Sequence, residues 1–306
     1  METHKNASAG LVFAAFAAIY LIWGSTYFAI WVGLKTLPPF LLSGLRFGLA
    51  GAVLLGWRLA SGERPALRDL AFHALVGTVM LGLGTGAVVW SEQYISSGLA
   101  AIVVASMPFW FVALDRRQWA VNFANWVIPA GVAIGFLGIL MLFGAKNALP
   151  GAAQTLAMLV LIGGCISWAG GSLTLKYRPT PTSPLLNAGT QMLGAGIFSL
   201  LVSGFAGEWP GFSFASVSLE SWLGLAYLIA FGSWLGYLSY VWLLGIRSPV
   251  QVGTYAYVNP VVAVFFGWVF AGEPFEARQV LALAVILSGV LLINLPKYKF
   301  LKMSGV

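Results

Sequence analysis

Residues 258–279 read VNPVVAVFFGWVFAGEPFEARQ. The run is almost wholly Val, Phe, Trp and Ala, yet an Asn-Pro pair sits near its start and Gly-Glu-Pro cuts it off. In water such a segment has no polar face to turn outward. In lipid, a helix tolerates proline because neighbouring helices satisfy the carbonyl it frees. The stretch therefore reads as a membrane helix that carries Pro260 inside it and leaves the hydrocarbon at Gly272-Glu273-Pro274.

The rest of the chain agrees. Of 306 residues, 59% are hydrophobic and 8% charged, whereas soluble domains carry roughly 25% charged residues. With 16 Lys and Arg and 9 Asp and Glu, a domain this large cannot cover itself with a polar exterior. Apolar stretches each about long enough to cross ~30 Å of hydrocarbon follow one another at 11–33, 39–60, 70–91, 97–114, 123–144, 153–175, 184–204, 221–245, 250–271 and 278–295. Short connectors leave no room for an appended soluble domain. The first stretch exceeds a signal-peptide core and lacks a convincing cleavage site, so it is kept as a helix. Cys165 stands alone, so no internal disulfide is expected.

The net charge of +7 is sorted by side, which argues for a membrane and against nucleic acid as partner. With a cytosolic N-terminus, twelve basic residues (Lys5, Arg58, Arg64, Arg68, Arg116, Arg117, Lys176, Arg178, Arg247, Lys297, Lys299, Lys302) face the cytosol, and three (Lys35, Lys146, Arg278) face the other side. That positive-inside bias predicts a multi-pass protein of the cell (inner) membrane with both termini cytoplasmic. The Asn6-Ala7-Ser8 sequon then lies in the cytosol.

Laid on itself at a shift of 145, the chain pairs Trp23 with Trp168, Pro39 with Pro184, Gly44 with Gly189 and Gly51 with Gly196; at 152 it pairs Trp90 with Trp242, Ser96 with Ser248 and Pro108 with Pro260. Each copy holds five spans, an odd number, so the second must enter the membrane from the opposite face. The expected fold is an all-α polytopic membrane protein, ten transmembrane helices as two inverted five-helix repeats, 10–146 and 152–296, followed by a basic cytosolic tail, 297–306. Inverted repeats are a hallmark of secondary transporters.

The sequences "LIWGSTYFAI" at 21–30, "SGLRFGLAGAVLL" around Arg46, Pro260-Val261-Val262-Ala263, Gly272-Glu273-Pro274 and "VLALAVILSGVLLIN" at 280–294 resemble two successive domains of the EamA family in the drug/metabolite transporter superfamily. The first copy departs from the pattern, having QWAVNF at 118–123 where the second has the Gly-Glu-Pro turn. More narrowly, the chain is similar to the YddG-type aromatic amino acid exporters. The resemblance implies a secondary transporter that exports small organic metabolites, amino acids with aromatic or hydrophobic side chains foremost, by alternating access. A drug carrier or a sugar- or nucleotide-type metabolite carrier of the same superfamily is the alternative.

Several residues are candidates for that work. Trp23 and Tyr27 lie four apart on one helical face; Trp168 matches Trp23 in the repeat; Met107 and Trp110 flank Pro108; Tyr237 lies in the eighth span, and Tyr257 and Asn259 precede Pro260. Aromatic rings near helix ends are ordinary interfacial anchors, which suits Trp31 and Trp90. Trp23, Trp168, Tyr257 and Asn259 lie deeper, and these together with Tyr27, Met107, Trp110 and Tyr237 are expected to line a substrate cavity. Pro108 and Pro260 are either static kinks or hinges, and their matched positions favour hinges. Gly272-Glu273-Pro274 is read as cap and turn rather than proton carrier. Arg46 lies about seven residues into the second span, a costly depth for a charge; packing or snorkelling is preferred over substrate contact. Glu92 and Lys176 are weak candidates for proton coupling. Gly44-x3-Gly48, Gly131-x3-Gly135 and Gly82-x-Gly84-x-Gly86 permit close helix contact within one chain.

No Walker-type Gly-x4-Gly-Lys run is present, so ATP is not expected to drive the process directly. With two His, one Cys and no carboxylate cluster in the spans, neither an intramembrane enzyme, a cofactor nor a metal is expected. No ring of like charges suggests a channel. The partners expected are a small-molecule substrate and the lipid bilayer, with a monomer preferred to a dimer.

Overall fold

The computed structural model describes residues 8–124, 126–143, 151–247, 252–273 and 276–303. Lys5, the Asn6 sequon, Lys146 and Pro274 lie outside them. The chain folds into apolar helices in the predicted order: α1 (Ala9–Gly33), α2 (Pro39–Ala60), α3 (Leu67–Ser91), α4 (Ser97–Leu114), α5 (Val127–Phe143), α6 (Ala152–Tyr177), α7 (Pro184–Phe205), α8 (Leu219–Ile246), α9 (Tyr255–Ala271) and α10 (Ala277–Met303). Seven are long and apolar enough to cross a membrane, and the apolar parts of α5, α9 and α10 are shorter. No strand occurs among the described residues. Phe13, Leu67, Trp126 and Phe205 are 75% to 91% exposed, an arrangement that water penalises and hydrocarbon does not.

Three spans depart from uniform helix. α4 stops at Val104 and restarts at Met107, with Pro108 in the first turn of the new half. Proline has no N–H to lose there, so the expected mid-helix kink is instead a break and restart. Pro260 does sit inside a helix, α9, which is described from Tyr255; residues 250 and 251 of the expected span lie outside the described residues. α3 and α8 each contain a π-helical segment, Thr78–Thr85 and Leu228–Tyr237, which overlap at the 152-residue shift. Such segments insert an extra residue per turn and concentrate at functional sites. At the end of the chain, α10 runs past residue 296 to Met303, so the expected tail begins as a continuation of the last helix.

Glycines set the closest crossings. Repeat-matched Gly51 and Gly196 lie on the α2–α7 contact: a Cβ at Gly196 would strike the backbone of Gly48 and Phe47, and one at Gly51 the backbone of Gly189 and Leu193. α5 and α10 cross the same way, through Gly131, Gly135 and Gly289. The small-residue patterns are thus used inside the chain, where short side chains let backbones approach. The first helix of each half packs on the other half: α1 lies against α8 and α9, and α6 against α3 and α4.

Carboxylates tie the halves together at the helix ends. Glu208 accepts from the Phe40 and Leu41 amides (3.0 and 2.8 Å) at the start of α2. Its partner at the 145-residue shift, Glu63, accepts from the hydroxyl of Ser183 (3.0 Å), the N-cap of α7. Arg58 hydrogen-bonds the same carboxylate and holds Glu63 below the ordinary carboxyl pKa. Glu273 accepts from the Ser97 amide (2.8 Å), the Ser97 hydroxyl (2.9 Å) and the Gly98 amide (3.2 Å) at the start of α4. It is therefore a cap, as the sequence suggests, but for a helix of the other half, and its charge also favours that helix's dipole. Gly272 supplies the left-handed turn (φ 64°) that ends α9.

Candidate functional site

α1 and α6 face each other across the π segments of α3 and α8, and a cavity opens between them. Its wall includes Trp23, Thr26 and Tyr27 from α1, Arg46 and Phe47 from α2, Gly84 and Thr85 from α3, Met107 from α4, Cys165 and Trp168 from α6, Gly232 and Tyr237 from α8, and Tyr255 and Asn259 from α9. Counting its open mouth, the space measures about 700 Å³.

The repeat-matched tryptophans meet here. Trp23 and Trp168 stand edge to face, 5.6 Å between centroids at 86°. Trp23 also contacts Tyr240 (5.1 Å) and Tyr255 (5.2 Å), while Trp168 contacts Tyr240 (5.4 Å) and Tyr237 (6.3 Å). Each indole fits because the opposing π segment offers a glycine: a Cβ on Gly84 would press on Trp168, and one on Gly236, its repeat partner, on Trp23.

The polar tips of these rings are already occupied. Trp23 Nε1 donates to the Gly232 carbonyl (3.2 Å), Trp168 Nε1 to the Tyr240 hydroxyl (3.2 Å), and the Tyr237 hydroxyl to Gln191 Oε1 (2.6 Å). Gln191 in turn contacts His73 Nδ1 at 2.9 Å. Oriented with its nitrogen toward the carbonyls of Ile19, Tyr20 and Tyr255, the Asn259 amide ties α1 to the start of α9. With hydrogen bonds fixing their edges, the rings offer the cavity mainly apolar and π surface.

The EamA-like transporter family matches residues 8–144 and 155–295. The chain belongs to this family. The uncharacterized inner membrane transporter YedA of Escherichia coli (strain K12) is 40% identical over 94% of this chain and 92% of its own length. A probable amino-acid metabolite efflux pump of Salmonella typhimurium is 26% identical over 89% of this chain and 91% of its own. A solved crystal structure aligns with a TM-score of 0.66, covering 96% of this chain and 99% of its own at 18% identity, a likeness of fold alone. The chain is accordingly a transporter of the EamA family.

Of the residues singled out in the sequence, Trp23, Tyr27, Met107, Trp168, Tyr237 and Asn259 line this cavity. Trp110 is not among the lining residues; its indole donates to Ser106 Oγ (3.2 Å), at the α4 break, and its ring stands edge to face on Phe136 of α5 at 5.3 Å. The side chain of Tyr257 lies outside the described residues; Tyr255, two residues earlier, lines the cavity. Of the coupling candidates, Lys176 lies over the Tyr177 ring (5.4 Å), and Glu92 is 6% exposed with neither oxygen hydrogen-bonded among the described residues. Neither lines the cavity. Arg46, Thr26 and Tyr255 are among the cavity residues that sequence reasoning passed over or set aside. For Arg46 the signal was present, a charge deep in an apolar span, but its direction was not.

Proposed function

We propose that this transporter is a secondary carrier that exports small organic metabolites, above all amino acids with aromatic or hydrophobic side chains, from the cytoplasm by alternating access around the central cavity. The observation that carries this reading is the aromatic wall built from Trp23 and Trp168, the same position in each half, which makes the cavity common to both repeats. Rings whose polar edges are engaged elsewhere suit the flat, apolar part of such a solute. The Salmonella relative, a probable amino-acid metabolite efflux pump, points the same way.

In this account Trp23, Tyr27, Met107, Trp168, Tyr237 and Asn259 contact the solute. Pro108, at the α4 restart, and Pro260, inside α9, are the hinges that let the halves exchange inward and outward shapes. Both termini are cytoplasmic, and the working unit is the monomer.

The test is counterflow. Purified protein in sealed proteoliposomes preloaded with unlabelled phenylalanine should take up labelled phenylalanine faster than empty vesicles do, with saturation. Flux that grows linearly with concentration and ignores the preload would indicate a pore. Counterflow with a sugar or a cationic drug but no amino acid would move the assignment to another branch of the superfamily.

A further inference from the structure

The wall of the cavity is mostly aromatic and aliphatic, with neutral polar groups at Thr26, Thr85 and Asn259 and a single charge among the described residues. Arg46 is the one charged residue among the described residues that line it, and it is 5% exposed. Its guanidinium is held in place on three sides. Nε donates to Ser233 Oγ (3.0 Å), Cζ lies over the Phe47 ring, 4.6 Å from its centre, and Gly232 leaves room for the terminal nitrogens, since a Cβ there would come within 2.8 Å of Nη2. No ion pair reaches Arg46 among the described residues. With Nε committed to Ser233, the two terminal nitrogens remain as a planar fork of donors beside the cavity.

A guanidinium in a membrane interior without a counter-charge is expensive. The repeat identifies what packing alone would need. At the 145-residue shift Arg46 corresponds to Gln191 on α7, which is 1% exposed and hydrogen-bonded on both sides, to Tyr237 and to His73. A neutral amide fills that place in the second half and is satisfied entirely by protein. The first half has a cation instead, with its fork unpaired among the described residues and the cavity in front of it.

We propose that Arg46 is the anchor for an anionic group on the transported solute, a carboxylate held through the guanidinium fork, while the tryptophan and tyrosine rings take the apolar remainder. Paired donors on a planar cation match the two oxygens of a carboxylate, and such charge-assisted contacts are stronger than neutral ones. Substrates of this cavity therefore carry a carboxylate, and cationic solutes lacking one are rejected by the uncompensated positive charge. The inference rests on the central cavity being the solute site, and it replaces the packing role first expected for this residue.

The test compares three solutes of nearly one shape, phenylalanine, 3-phenylpropionate and phenethylamine, by equilibrium binding to purified wild-type protein, Arg46→Gln and Arg46→Lys. The glutamine variant places in the first half what the second half already carries, and its folding is checked by its melting temperature in detergent. For the wild type, 3-phenylpropionate should bind and phenethylamine should bind at least about tenfold more weakly. In Arg46→Gln the carboxylate should lose at least about tenfold in affinity, and phenethylamine should lose nothing. Arg46→Lys should recover only part, because a point charge lacks the fork. Equal loss of both solutes in a folded Arg46→Gln protein, unchanged binding of the carboxylate, or binding of neither carboxylate to the wild type would overturn the assignment. Preference of the wild type for phenethylamine would overturn it too while leaving an aromatic carrier in place. Binding of 3-phenylpropionate but not of phenylalanine, dependent on Arg46, would keep the anion anchor and remove the amino acids as cargo.

Discussion

Leucine in place of Gly196 is expected to leave little folded protein in the membrane. The Cβ alone would strike the backbone of Gly48 and Phe47 on α2, and backbone, unlike a side chain, cannot rotate out of the way. Overpacking a close contact costs about 1–3 kcal/mol where neighbours can shift, occasionally more. Here the only relief is to separate α2 from α7, which belong to different repeats and whose contact is one of the principal joints between them. The measurement is the yield and melting temperature of the monodisperse protein in detergent. Gly56→Leu is the control, on the same α2 helix but with nothing within 4 Å of its Cβ position, and it should behave as wild type. A Gly196→Leu protein as stable as that control would mean that α2 and α7 do not cross as described.

The second large effect concerns transport. Trp168→Ala should weaken solute binding by more than about tenfold, because one substitution removes a wall of the cavity and releases its neighbours. The indole touches Trp23, Tyr237 and Tyr240 and donates to the Tyr240 hydroxyl. Each well-oriented ring pair contributes about 0.5–1.5 kcal/mol beyond simple burial, so losing several loosens the whole cluster. Trp168→Phe keeps a ring but loses the N–H, and should retain more affinity than alanine does. Concentration-dependent uptake in proteoliposomes separates the two. An alanine variant with wild-type affinity and rate would remove the aromatic wall from the mechanism.

Much of the fold was legible because lipid simplifies the code. When every backbone group must be satisfied inside its own segment, a span shows itself by length and apolarity alone; the termini of α2 and α7 agree with the sequence reading within a residue. Trp23 and Trp168 could be singled out because tryptophan recurring at a fixed shift is rarely accidental. What stayed hidden depends on long-range contacts. The π segments of α3 and α8 sit in smoothly apolar runs with no local mark. The α4 break falls at Ala105-Ser106, two residues before the proline that drew attention. Glu208 caps α2 and Glu63 holds the N-cap serine of α7, each a helix of the opposite repeat, and nothing in their own neighbourhoods names those partners. Arg46 is the instructive case: its depth announced a problem, but whether protein or solute solves it depends on Ser233 and Gly232, nearly 190 residues away in the chain.

The central claim is that solute binds in the space between α1 and α6, and the chain carries its own reporter there. Cys165, the single cysteine, lines the cavity on α6. The measurement is its rate of modification by a small membrane-permeant methanethiosulfonate, in the native protein in membranes, with and without saturating phenylalanine. The account predicts that phenylalanine slows the reaction severalfold and that a solute the protein does not transport leaves it unchanged. A rate indifferent to a solute that the same membranes demonstrably transport would contradict it, placing the binding site elsewhere in the bundle.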